Sequence, residues 1–359
     1  MIKYLGSKRV IVPTLVELVG TLDGVERIAD LFAGTSRVGH AFKRAGYGVL
    51  SNDHNAYAET LARCYVQADH ERHAEVAAEI LAELEQLAPR RGYFCRTFCE
   101  ESRFFQPHNG ARVDAIRDEI ARRQVAGELG ADPVQAQELE AVLLVSLMEA
   151  ADRVDSTTGV QMAYLKSWAR RSERDLALRL PDLLPRAKGG SGRALGLEAE
   201  EAALVASNEV DLVYLDPPYN QHKYLGNYHI WETLVRWDAP EAYGIAKKRA
   251  DCRERKSAFN SRPAAAIALH AVIEAALSGS RVRYILLSFN DEGFLDRGQI
   301  ESMLSPHGTL TSLELDHKRY VGAQIGIYDP SGKKVGKVGS LRNKELLFLL
   351  RRRLGACRA

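Results

Sequence analysis

Between Arg27 and Asp53 the chain spells out strand, glycine turn, helix and strand. That order restricts it to a parallel α/β sheet. Arg27 to Leu31 and Gly48 to Ser51 are short runs bounded by turn residues, which reads as two strands. Arg37 to Ala45 repeats apolar residues at helical spacing, with Val38, Ala41, Phe42 and Ala45 on the inward side. Parallel neighbours need a crossover, and the helix supplies it. The turn Asp30-Leu31-Phe32-Ala33-Gly34 then falls at the carboxyl end of a strand, where open α/β sheets bind ligands. Gly34 lets the backbone approach a ligand closely. Gly34 to Gly39 has the glycine spacing of a phosphate-binding loop, but His40-Ala41 stands where Lys-Ser/Thr is needed. G-x-G-x-x-G spacing is also missing from this run. A nucleoside cofactor without phosphates fits better, with S-adenosylmethionine the leading candidate. Asp53, at the end of the second strand, is placed to hold ribose hydroxyls.

A second strand end carries more chemistry. Asp211 to Leu215 reads as a buried parallel strand, and Asp216-Pro217-Pro218-Tyr219 follows it. Two prolines cannot continue a ladder. Their carbonyls and the Asp216 carboxylate are thus free to accept hydrogen bonds from an amino group. The Tyr219 ring can stack on a flat heterocycle. Together these suit the exocyclic amine of a nucleobase. Pro-Pro is also an ordinary stop signal after a strand; the upstream turn is what gives the tetrapeptide its weight.

With both motifs in this order, the chain resembles the N6-adenine DNA methyltransferases of the Dam-like group, in which the cofactor motif comes first and Asp-Pro-Pro-Tyr late. Three further segments carry the resemblance: Lys3 to Lys8, Asn220 to Leu234, and Tyr284 to Gly293. The resemblance implies a Rossmann-like S-adenosylmethionine-dependent methyltransferase sheet with a helical insertion, an α/β fold. It implies catalysis by Asp216, Pro217, Pro218 and Tyr219. Cofactor contacts would come from Tyr4, Lys8, Asp30, Phe32, Ala33, Gly34, Asp53, Glu198 and Asp216. Glu198 is the one acid before the catalytic strand able to face the cofactor's adenine. It serves equally well as a first-turn acid of the next helix.

The implied reaction is methyl transfer from S-adenosylmethionine to N6 of an adenine flipped out of double-stranded DNA. Such enzymes act beside a separate cognate restriction endonuclease, or as orphan or phage methylases. Alternatives are N4 of cytosine, an RNA amine or a protein glutamine amide as acceptor, and an inactive DNA-binding relative. Cytosine C5 chemistry needs a cysteine after a proline, and none of the five cysteines follows one.

The 359 residues allow one large domain or two, and 46% hydrophobic residues support a substantial core. A net charge of +2 does not exclude a DNA partner, because local basic patches make phosphate contacts. Candidate patches are Arg170 to Arg174, Lys247 to Lys256, Lys318 to Tyr320 and Lys333 to Lys337; each reads equally as a solvated face. An odd, irregular set of cysteines points to a reducing compartment. Cys95, Cys99 and His108 lack a fourth ligand at a recognised spacing, so no metal is expected. Neither a signal peptide nor a membrane span is legible, which suggests a cytoplasmic protein.

The spacing of apolar residues predicts helices over 55–68, 71–87, 111–126, 133–151, 173–184 and 263–277, and closing antiparallel strands over 308–317 and 344–351. Tyr328 to Gly332 is a turn by composition. Residues 1–60 and 190–359 are expected to form the catalytic domain. Residues 61–189 would be a helical insertion for DNA contact and target recognition.

Overall fold

The structure is a computed structural model and describes residues 1–221, 223–291, 293–318 and 342–353. The Tyr328–Gly332 turn, the Lys333–Lys337 cluster, Arg319, Tyr320 and Cys357 lie outside the described residues. The principal strands are β1 (Arg27–Asp30), β2 (Gly48–Asn52), β3 (Arg193–Leu195), β4 (Leu212–Leu215), β5 (Tyr284–Asn290), β6 (Gly308–Lys318) and β7 (Arg342–Arg352). The principal helices are α1 (Val12–Gly20), α2 (Arg37–Arg44), α3 (Ala56–Ala62), α4 (His70–Glu85), α5 (Pro107–Val125), α6 (Pro133–Arg153), α7 (Ala199–Ala206), α8 (His229–Arg236), α9 (Arg262–Leu277) and α10 (Arg297–Leu304). The chain divides into two compact units, and each is built from several stretches of sequence.

One unit comprises Leu5–Phe32, Ala199–His222 and Ser257–Ala359. Here β1, β4 and β5 are parallel neighbours, with Ile28 opposite Leu212 and Leu212 opposite Tyr284. Residues in β4 and β5 are buried along their whole length. This is why these strands read as continuous apolar runs rather than alternating ones. β7 then pairs antiparallel with β5, and β6 with β7. Ala202, Ala203 and Ala206 of α7 are fully buried, as are Ile273 and Ala276 of α9, and the two helices pack together. At the start of β4, Asp211 accepts the backbone N–H groups of Glu26 and Arg27 and pairs with Arg281 and Arg283. One carboxylate thus ties the entry points of neighbouring strands together. α10 begins in a reciprocal capping box between Asp296 and Gln299.

The other unit comprises Met1–Tyr4, Ala33–Glu198 and Lys223–Lys256. It carries the parallel pair β2–β3 and most of the helices. α6 is buried at most positions, with Val142, Leu143, Val145, Leu147 and Met148 fully enclosed. The aromatic segment after Pro89 is not a surface loop. Phe94, Phe98, Phe104 and Phe105 are all buried, with Phe105 facing Trp231 at 6.2 Å. Buried charges are paired: Lys43 donates to Asp69 and to the Ala68 carbonyl, and Glu138 accepts from Gln67 and Arg72 and bonds His73. Pairing of this kind is what makes an enclosed charge tolerable.

The expected helix over 173–184 does not form. A short 3-10 turn, Arg170–Glu173, is followed by irregular backbone. Leu176, Leu178 and Leu180 alternate at a spacing of two, which suits an extended segment better than a helical face. Backbone groups here are satisfied by side chains from elsewhere in the unit. Leu176 N–H donates to Asn109 Oδ1, and Arg179 N–H donates to Ser146 Oγ, which itself donates to the Arg179 carbonyl. With its polar backbone accounted for, the segment gains nothing by coiling. The other predicted helices and both closing strands form within a few residues of their expected bounds.

Candidate active site

β4 ends at Leu215, and the next residue, Asp216, is the first whose side chain leaves the core. It meets a lysine there. Lys8 Nζ lies 3.0 Å from Asp216 Oδ1 and 2.5 Å from Glu345 Oε1, with the lysine side chain 10% exposed. Glu345, on β7, also accepts the hydroxyl hydrogen of Ser288 on β5. One cation thus serves two enclosed carboxylates. Burial pushes the Asp216 carboxyl up to about 6; Lys8 opposes that shift and Glu345 adds to it. Burial disfavours the Lys8 ammonium, but the two carboxylates outweigh it and hold the lysine above its ordinary range.

Around this cluster, Pro217 is buried, and Pro218 and Tyr219 are partly so. The Tyr219 ring meets Phe289 edge to face at 6.2 Å, and its carbonyl accepts the Phe294 N–H. The Asn220 carbonyl accepts from Asn260 Nδ2. The loop after the strand is therefore pinned on both sides. Phe32 packs edge to face on Phe259 at 5.1 Å, and Asp30 is buried at the end of β1.

The second unit holds a different cluster. Gly34 sits at φ +51, and a Cβ on it would lie 3.1–3.2 Å from the Tyr4 ring. Glycine is required here both by the left-handed backbone and by the ring over it. Ser36, two residues on, is a buried non-glycine residue at φ 58, so the turn into α2 stores some strain. Gly34 N–H donates to Asp53 Oδ2 at 3.0 Å, while Asp53 Oδ1 receives the N–H and side-chain amide of Asn55. Tyr4 stacks on Tyr228 at 4.5 Å and on Tyr224 at 5.3 Å, and its hydroxyl lies 3.3 Å from that of Tyr57. Burial raises the Tyr4 and Tyr57 phenols well above the usual range, with Asp53 adding to it, so both are neutral donors. Glu232 accepts the Tyr57 N–H and pairs with Arg255. Glu198 is exposed, 3.2 Å from His54 Nδ1, one residue before α7.

Residues 4–301 match the family of D12 class N6 adenine-specific DNA methyltransferases. The chain belongs to that family. It is therefore a DNA adenine methyltransferase, an enzyme that uses a methyl donor, and the α/β, mainly parallel fold read from the sequence is the one found. Among its relatives is the type II methyltransferase M.NlaIII of Neisseria lactamica, 30% identical over 81% of this chain and 83% of that protein. The modification methylase StsI of Streptococcus sanguinis is 28% identical over 90% of this chain, and the type II methyltransferase M.FokI of Planomicrobium okeanokoites 30% over 89%. The chain spans 49% of the length of each of these two.

The residues singled out from the sequence fall into two groups in the enzyme. Tyr4, Ala33, Gly34, Asp53 and Glu198 lie in one unit; Lys8, Asp30, Phe32 and Asp216 to Tyr219 lie in the other. Gly34 meets both the Tyr4 ring and the Asp53 carboxylate, and Lys8 pairs with Asp216. Sequence reasoning missed Tyr57, Tyr224 and Tyr228 around Tyr4, and Ser288 and Glu345 beside Lys8. Tyr224 and Tyr228 stand four apart before α8, a spacing that presents both to one neighbour. Among the described residues no helix is long and apolar enough to cross a membrane.

Proposed function

We propose that this methyltransferase takes its methyl group from S-adenosylmethionine and delivers it to N6 of an adenine flipped out of double-stranded DNA at a specific site. The observation that carries this reading is Asp216, held by Lys8 at the carboxyl end of a buried parallel strand and followed by two prolines and a tyrosine. Lys8 bonds Oδ1, and Oδ2 is the oxygen proposed to receive the amine. The adenine amino group is a weak nucleophile because its lone pair is delocalised into the ring. Accepting its hydrogens at Asp216 and the Pro217 carbonyl draws the nitrogen toward a tetrahedral shape and exposes the lone pair. The work is positioning and electrostatic stabilisation, with no covalent enzyme intermediate. Tyr219 stacks on the flipped base.

The Tyr4 cluster fits a nucleoside ligand. Gly34 has no side chain to obstruct the turn, and Asp53 Oδ2, which accepts the Gly34 N–H, has a second lone pair for a ligand hydroxyl. We assign Asp53 to the ribose hydroxyls, with Tyr4, Phe32, Ala33, Gly34, Asp30 and Glu198 as the remaining cofactor contacts and Lys8 at its methionine end. S-adenosylmethionine, when bound, supplies the electrophilic methyl group. Residues 61–189 are proposed to make the DNA contacts that select the target. A cytoplasmic role beside a restriction endonuclease accords with relatives that are named type II methyltransferases or modification methylases.

Single-molecule sequencing of DNA from a methylation-free host tests the reading. N6-methyladenine at one recurring motif, present with the wild type and lost with Asp216→Ala, is the expected result. Modified cytosine, or no modified base in either sample, would overturn it.

A further inference from the structure

Glu345 lies on β7, beyond the stretch that matches the family, and nothing in the sequence marks it as functional. Its side chain is 7% exposed, and it reaches Lys8 Nζ at 2.5 Å while accepting from Ser288. A buried carboxylate that opens the apolar run Leu346 to Leu350 is costly unless its position is used. The backbone places it well: Glu345 pairs with Asn290, the last residue of β5, so it sits level with the carboxyl end of that strand. We propose that Glu345 is a positioning residue for methyl transfer, holding the Lys8 ammonium to one side of Asp216 so that one Asp216 oxygen stays open to the substrate amine. The proposal rests on the reading of Asp216 as the acceptor of that amine.

The geometry accounts for the need. With a single carboxylate beside it, a buried ammonium would centre on both oxygens and compete with the incoming amine. A second carboxylate 2.5 Å away pulls the cation toward itself, leaving it on Oδ1 of Asp216 at 3.0 Å. Ser288 fixes the Glu345 oxygen that does this. The groups that face the cluster are Lys8 before α1, Asp216 and Tyr214 on and after β4, Ser288 on β5 and Glu345 on β7. Asp30 on β1 acts through Tyr214, whose phenol is raised by burial and by the surrounding carboxylates. Among the described residues, Glu345 is thus the one neighbour that adds negative charge directly at Asp216.

Two substitutions separate position from charge. Glu345→Gln removes the charge, so the ionised form of Asp216 is favoured and its titration midpoint should fall by roughly one pH unit. The midpoint is followed by carbon-13 carboxyl shifts in labelled protein, with Asp216→Asn as the assignment control. Glu345→Asp keeps the charge but withdraws the acceptor. It should leave the midpoint in place and lower kcat about tenfold, with KM for DNA and affinity for S-adenosylmethionine within about threefold of wild type. An unmoved midpoint in Glu345→Gln, or wild-type kcat in Glu345→Asp, overturns the proposal. Should Glu345→Gln not fold, the kcat and KM of Glu345→Asp decide alone. If Asp216→Ala keeps its turnover, the reading of Asp216 has failed; if it is dead while both Glu345 variants match wild type, only the role of Glu345 has.

Discussion

The two clusters are built from opposite materials. Around Asp216, three charged groups share an enclosure, and their positions are set by one lysine between two carboxylates. Around Gly34, the parts are mostly neutral: a stack of tyrosines and a glycine turn, with a single carboxylate, Asp53, that accepts backbone and side-chain amide N–H groups. A charged cluster can change its state with pH and can lose everything with one residue. An aromatic stack changes little with pH and loses stability by increments. The contrast matches the work proposed for each, reaction chemistry at one and recognition of a flat, neutral surface at the other.

Asp216→Ala gives the sharpest break. Turnover should fall by at least about 10²–10³-fold, the cost of losing one preorganised transition-state contact, read in a radiolabelled methyl-transfer assay with the melting temperature unchanged or raised. Lys8→Met leaves Asp216 and Glu345 without their cation. Breaking a buried pair in this way costs on the order of 3 kcal/mol. Urea unfolding should show a larger loss at pH 8 than at pH 5, because protonation relieves the unpaired carboxylates in acid.

Acid itself separates the two units. Burial lowers His229 to about 3 and His40 to about 4, so both are neutral in the folded state. The unfolded chain binds protons at these rings below pH 6.5, and the folded chain does not. Their contribution is therefore lost as pH falls from about 6.5 toward 4, on the order of 2 kcal/mol for each ring by pH 5. Asp216 runs the other way. Its folded midpoint of about 6 lies above the unfolded 3.8, so its burial becomes less costly as pH falls through 6. Hydrogen exchange at pH 7 and pH 5 should show amides of α2 and α8 losing protection first. Equal loss around β4 would remove the distinction. Gly34→Ala is the smallest effect. A Cβ against the Tyr4 ring at positive φ should cost about 1–2 kcal/mol, measured by chemical denaturation.

How far the sequence disclosed this arrangement depended on distance along the chain. The turn at Gly34 and the Asp216 tetrapeptide are local patterns, each a strand with its following residues, and both were legible. Gly34 and Asp53 both read as ligand-facing from a single strand–helix–strand unit, although the bond between them did not. Glu345 was not legible, because its partner Lys8 is 337 positions away and strand pairing alone unites them. Tyr57 and Tyr228 were hidden for another reason: a tyrosine in a helix reads as core until a stacking partner is known. The segment over 173–184 differs because Leu176, Leu178 and Leu180 stand at a spacing of two, which is that of extended backbone.

The Lys8–Glu345 pair also sets a clock on synthesis. A ribosome lays down Glu345 337 positions after Lys8, so the lysine must wait for the carboxylate on β7. Until then Asp216 holds Lys8 without the group that restrains it, and β5 lacks its antiparallel neighbour. A chain that has not yet made Glu345 lacks the group proposed to keep one Asp216 oxygen open, so full turnover awaits the pairing of β7 with β5.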